Sequence, residues 1–170
     1  KKLYPMKKSS DLKRIGLGTV QFGLNYGVSN SSGQTPFGEV SEILQCALEN
    51  NITTIDTAHT YGNSEEVLGH SISDKRFDVV TKTIPTFKNK ISAKDIKVVS
   101  DGVFESLRKL KLDRLNGLLV HHCDDLIIDG GESLFRCLSD LKAQNLFLKL
   151  GLSVYSVEEI EFVLKNYDVD

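Results

Sequence analysis

A chain of 170 residues, 40% hydrophobic and 26% charged, has the bulk for one substantial core. Its 21 Lys+Arg against 23 Asp+Glu give a net charge of −2, which excludes a global pull toward nucleic acid or an anionic membrane. Cys46, Cys123 and Cys137 are odd in number and unpaired in spacing, as expected of reduced thiols in a cytoplasmic protein.

The basic start KKLYPMKKSSD leads into no signal-peptide apolar region, and no run reaches membrane-spanning length. Residues 1–14 are expected to be an N-terminal extension of a single domain covering 1–170. The first residue is Lys rather than Met, as expected of an excerpt from something longer. IGLGTVQF (15–22) is then the first strand-like run. The Gly/Asn/Ser loop LNYGVSNSSGQTP (24–36) follows as a specificity rim. Val40, Ile43, Leu44, Ala47 and Leu48 recur at helical spacing.

TTIDTA (53–58) is the second run, and Ser64, Glu65 and Glu66 suit the start of a short helix over 64–71. FDVVTKT (77–83) precedes a helix carrying Ile96, Val99, Val103, Leu107 and Leu110. LNGLLVHH (115–122) precedes the stripe Leu134, Cys137, Leu138, Leu141. FLKLGLSVY (147–155) precedes Ile160, Val163, Leu164. NYDVD, at the end, is expected to lead into a sixth strand.

Strands alternating with helices predict an α/β fold with a parallel sheet, since parallel strands need crossover connections. Chemistry then belongs at the C-terminal strand ends. Asp56, Tyr61, Lys82, His121 and His122 all fall there. Taken singly, each has a structural explanation: a helix-entry acid, loop packing, a snorkelling amine. Their convergence at one end predicts a shared site.

A tyrosine phenol ordinarily ionises near pH 10, and a neighbouring ammonium stabilises its phenolate. A carboxylate keeps that ammonium oriented, and an imidazole can donate to a carbonyl oxygen. Such a set delivers a proton to an oxygen that becomes alkoxide. It holds no nucleophile. His59, His121, His122, Cys123, Asp124 and Asp125 lack the spacing of a zinc site, so no metal is expected. A hydride from a nicotinamide is the natural complement. Glycines 16, 18 and 23 do not form G-x-G-x-x-G, so a Rossmann loop is not expected. Strand alternation admits only one of the adjacent histidines to the site.

The stretch Asp56-Thr57-Ala58-His59-Thr60-Tyr61-Gly62-Asn63-Ser64-Glu65, with Val67-Leu68-Gly69 after it, resembles the signature of the aldo-keto reductases. Gly16-Leu17-Gly18-Thr19, Thr81-Lys82, Leu119-Val120-His121 with Asp124, and Leu150-Gly151-Leu152-Ser153 resemble further family segments, in family order. The resemblance implies a (β/α)8 TIM barrel that reduces aldehydes or ketones with NADP(H) or NAD(H). It implies Tyr61 as general acid, Lys82 as the cation beside it, Asp56 as the partner of Lys82, and His121 as the residue that orients the carbonyl.

Gly18, Thr19 and Val20 match a backbone turn at the nicotinamide ribose, with Asp56 nearby, and Ser153 matches a carboxamide contact. Spacing from Asn116 favours His121 as the catalytic histidine, leaving His122 to the substrate rim. Ser153-Val154 departs from the family's Ser-Asn.

A barrel takes about 250 residues, and five strand–helix units are legible here. The expectation is a portion of a full-length enzyme, with a truncated gene or self-complementing partial barrels as alternatives. The polar loop 24–36 favours a sugar-type carbonyl. The expected partner is a small molecule, with neither nucleic acid nor membrane involved, and the oligomeric state is left open. The alternative function is a catalytically silent nicotinamide-binding or regulatory protein, or an inactive barrel fragment.

Overall fold

The computed structural model describes residues 15–72 and 76–170. The N-terminal extension read at 1–14 lies outside the described residues. Five strands, β1 (Gly16–Gly18), β2 (Thr54–Asp56), β3 (Asp78–Lys82), β4 (Leu115–Val120) and β5 (Phe147–Leu152), form one parallel sheet in the order β1-β2-β3-β4-β5. The helices among the described residues are α1 (Val20–Gly23), α2 (Phe37–Glu49), α3 (Ser64–Ser71), α4 (Ala93–Leu110), α5 (Asp124–Ile127), α6 (Gly131–Ala143) and α7 (Val157–Asn166).

Strand order distinguishes the two kinds of parallel fold. A doubly wound sheet reverses direction at a switch point, so helices cover both faces. Here the order never reverses, and right-handed crossovers then put every connecting helix on the same side. The sheet is an arc of a (β/α)8 barrel, with helices outside and a lumen face inside. Asp170 donates its N–H to the Leu150 carbonyl at 3.0 Å, so the end of the chain runs beside β5.

Register divides the side chains between the two faces. Leu17 pairs with Ile55, Ile55 with Val79, Thr81 with Leu118 and Leu118 with Leu150. These face the helix layer, where Val99 and Val103 of α4 and Leu134 and Leu138 of α6 are buried. Each such side chain contributes about 1.5–3 kcal/mol on leaving water. Asp56 pairs with Val80 and Lys82 with Leu119, which puts both charged residues on the lumen face.

The helix ends follow local chemistry in two places. Ser92 with Asp95 and Ser156 with Glu159 form capping boxes on α4 and α7. Gly69 has a packing reason: a Cβ there would lie 2.0 Å from the Lys109 carbonyl, so the residue lets α3 and α4 touch.

Three expectations change at element boundaries. The run 15–22 is not one strand, since Val20–Gly23 forms a helical turn whose Phe22 enters the core. The run 147–155 stops pairing at Leu152. Ser64 and Glu65 do not cap α3. Asn63 takes the capping position, and both side chains are spent on tertiary contacts.

Candidate active site

Asp56 ends β2 and Lys82 ends β3. Since the two strands are neighbours and both side chains face the lumen, they meet: Lys82 Nζ lies 2.7 Å from Asp56 Oδ1. The ammonium also donates to the Thr57 carbonyl at 2.8 Å. Lys82 is 7% exposed. A buried cation needs such fixed acceptors, because desolvation without them is costly.

Tyr61 follows β2 in a tight turn, with its N–H bonded to the Ala58 carbonyl and its own carbonyl accepting from Ser64 N–H. Lys82 Nζ sits 5.0 Å from the centre of the Tyr61 ring. Gly23 fixes how closely α1 supports this turn, because a Cβ on it would stand 1.8 Å from the Tyr61 carbonyl oxygen.

His121 comes just past β4. Its ring meets Tyr61 edge-on, centroids 6.2 Å apart at 84°. Its backbone N–H donates to Thr83 Oγ1, and Nδ1 lies 3.4 Å from Thr60 Oγ1. Burial, then the neighbouring His122 and Lys82, hold its pKa below the usual 6.5. With Nδ1 turned to the Thr60 hydroxyl, Nε2 is the nitrogen left for a ligand.

The alternation argument about the paired histidines applies only within a strand, and β4 ends at Val120. The chain turns there, with Asp125 N–H bonded to the His122 carbonyl. The two imidazoles therefore stack, 5.2 Å apart at 27°, instead of pointing to opposite sides.

The residues assigned to the cofactor divide into two kinds. Gly18 ends β1 with open space where a side chain would stand. Thr19 is fully buried, and its hydroxyl donates to the Asp56 carbonyl at 2.9 Å. Its backbone is spent as well, the N–H donating to the Asp56 carbonyl at 3.0 Å and the carbonyl accepting from Phe22 N–H and Ser64 Oγ, so Thr19 braces β1 against β2 and does not face the rim. Val20 opens α1. Ser153 follows β5, tied to β4 by its N–H on the Val120 carbonyl, and is partly exposed. Gly18 pairs with Asp56 at the β1 edge of the sheet, whereas Ser153 stands past β5 at the other edge, so these residues line the rim from opposite ends of the arc.

Sequence reasoning missed a second layer beneath the site. Thr81 Oγ1 donates to Glu65 Oε1 at 2.7 Å, and Glu65 is 2% exposed. Glu65 Oε2 has no hydrogen bond and faces His59 Nδ1 at 3.8 Å. Ser64 Oγ donates to the Thr19 carbonyl. No spacing rule finds such ties, because each joins residues from different elements. Phe87, on the loop after β3, was missed too; its ring lies 5.2 Å from that of His122. Among the described residues no group of three or more His, Cys, Asp and Glu is placed to hold a metal ion, and no helix is long and apolar enough to cross a membrane.

A sequential parallel arc with a charged pair, a phenol and an imidazole at its C-terminal rim is the architecture of a (β/α)8-barrel protein with a polar site at its strand ends. The chain belongs to the Aldo/keto reductase family, whose pattern matches residues 14–170. Aldo-keto reductase YhdN of Bacillus subtilis (strain 168) is 31% identical over 160 residues, which are 89% of this chain and 46% of that protein. The chain thus spans about half the length of this curated relative.

Among solved structures, PA4992 from Pseudomonas aeruginosa, described as an aldo-keto reductase, superposes with a TM-score of 0.74 at 30% identity, covering 90% of this chain and 60% of that one. An aldo/keto reductase from Klebsiella pneumoniae, solved in complex with NADP and acetate, shares the fold with a TM-score of 0.66 at 23% identity, covering 90% of this chain and 49% of that one.

Proposed function

We propose that the protein reduces an aldehyde or ketone to an alcohol, with NADPH or NADH as hydride donor. The observation that carries this is the contact of Lys82 with both Asp56 and the Tyr61 ring, at the rim where His121 also arrives. Gly18, Val20, Asp56 and Ser153 would hold the nicotinamide, with buried Thr19 bracing the turn beneath them, and the nicotinamide would supply a hydride to the carbonyl carbon.

The chain's own residues do the rest. His121, kept neutral by burial and by His122, donates from Nε2 to the carbonyl oxygen and sets its direction. The Tyr61 hydroxyl gives its proton to that oxygen as the alkoxide forms. The Lys82 ammonium stabilises the phenolate left behind, and Asp56 keeps the ammonium in place. His122 lines the substrate rim beside His121. The polar loop 24–36, on the β1 flank of Tyr61, supports a sugar-type carbonyl.

Tyr61→Phe tests the reading with 4-nitrobenzaldehyde and NADPH. Reduction should fall on the order of 10²–10⁴-fold, as for loss of a general acid, while NADPH binding persists. Undiminished reduction overturns the role of Tyr61. Wild-type protein that binds NADPH but reduces no carbonyl favours the silent-barrel alternative.

A further inference from the structure

Phe87 combines features that local stability does not explain. Its backbone lies in the left-handed region, φ 50°, which a bulky side chain rarely adopts. The residue is 78% exposed, so core burial does not compensate. The residue before it is held firmly. Thr86 donates its N–H to Asp125 Oδ2 at 3.1 Å and its hydroxyl to Oδ1, and Asp125 is itself buried. Asp125 follows β4, so this clamp ties the loop after β3 to the segment bearing the histidines.

The exposed ring is also not isolated. Phe87 lies against His122 at 5.2 Å, His122 stacks on His121 at 5.2 Å, and His121 meets Tyr61 at 6.2 Å. A continuous line of rings therefore runs from solvent to the phenol. Strained backbone that persists because its surroundings impose it is a pointer to function. An exposed aromatic face beside a binding rim is a stacking surface.

We propose that Phe87 is a specificity residue whose ring stacks on the carbonyl substrate, and that this substrate carries a flat apolar face, either an aryl ring or the C–H face of a cyclic keto-sugar. The inference rests on the reading of the Tyr61 rim as the substrate site. Strand order puts the polar loop 24–36 after β1 on one flank of Tyr61, and Phe87 after β3 on the other. A substrate with one flat apolar side and one polar side fits between them.

The test uses product-like alcohols with NADPH present, so that no turnover occurs. Benzyl alcohol, myo-inositol and n-hexanol are titrated into wild type, Phe87→Gly and Phe87→Tyr, followed by the His122 imidazole resonances. At least one flat probe should bind about five-fold or more weakly to Phe87→Gly than to wild type. Phe87→Tyr should restore that binding, and n-hexanol should be indifferent to both changes. Benzyl alcohol alone responding identifies an aryl substrate, and myo-inositol alone a cyclic sugar.

Thermal unfolding of Phe87→Gly should have a midpoint at or above that of wild type, since glycine relieves the left-handed backbone. Flat probes that bind neither protein, or bind both equally, overturn the proposal. So does a Phe87→Gly midpoint well below that of wild type, which would make Phe87 a packing residue. Because no probe is reduced, these outcomes are independent of whether Tyr61→Phe abolishes reduction.

Discussion

The Thr81 hydroxyl donates to Glu65 Oε1 at 2.7 Å, joining the residue before Lys82 to the helix that follows the Tyr61 turn. Both partners are sealed from water, Thr81 completely and Glu65 to 2%. Losing either strands the other. Thr81→Val and Glu65→Leu should each cost about 1–3 kcal/mol. The double variant should cost at least about 1 kcal/mol less than their sum. Strict additivity in urea denaturation would show that the bond contributes nothing.

The Asp56–Lys82 pair is asymmetric in burial, with side-chain exposures of 42% and 8%. Asp56→Ala leaves a buried ammonium with the Thr57 carbonyl as its remaining acceptor among the described residues. It should cost about 1–2 kcal/mol, moderated because the carboxylate is partly solvated. Lys82→Met returns Asp56 to water and should cost less, though both variants should lose carbonyl reduction. The ranking fails if Lys82→Met is the less stable variant by denaturation midpoint.

Gly23→Ala introduces a methyl 1.8 Å from the Tyr61 carbonyl and 2.4 Å from Ser64 N. These are backbone atoms and cannot rotate away, so the Tyr61 turn must shift. A cost of about 3 kcal/mol and a drop in reduction are expected. Wild-type stability and activity in Gly23→Ala would rule out this packing.

His121 has its pKa held below 6.5 by burial first, then by His122 and Lys82. The unfolded chain therefore takes up a proton near pH 6.5 while the folded chain does not. Stability is fully present above 6.5 and is lost as pH falls through the window below it, down to the folded-state value. His121→Asn should lose less stability between pH 7.5 and 5.0 than wild type, read as urea midpoints. An equal or larger loss in the variant contradicts the shift.

Cys123 is 2% exposed, and burial, reinforced by Glu159 and Asp124, pushes its thiol up to about 11. Cys46 is exposed. At pH 7.5, iodoacetamide should alkylate Cys46 and spare Cys123 in the folded protein. Peptide mapping that finds Cys123 modified first would show that the β4 end opens in solution.

The sequence by itself determined the order of strands and helices, because burial on both faces of a parallel sheet demands continuous apolar runs and amphipathic helices demand their stripes. It also put Asp56, Tyr61, Lys82 and His121 at strand ends, since those positions follow directly where apolar runs stop. Tertiary structure alone decided the rest. Strand order made the sheet a barrel arc. The end of β4 at Val120 let His121 and His122 stack on one side. Ser64 and Glu65, which suit a helix start, became braces to Thr19 and Thr81, and Asp125 clamped Thr86 beside Phe87. The physical reason is common to all of these. Periodicity encodes which face of an element is apolar, whereas a hydrogen bond or ring contact depends on which elements packing makes neighbours.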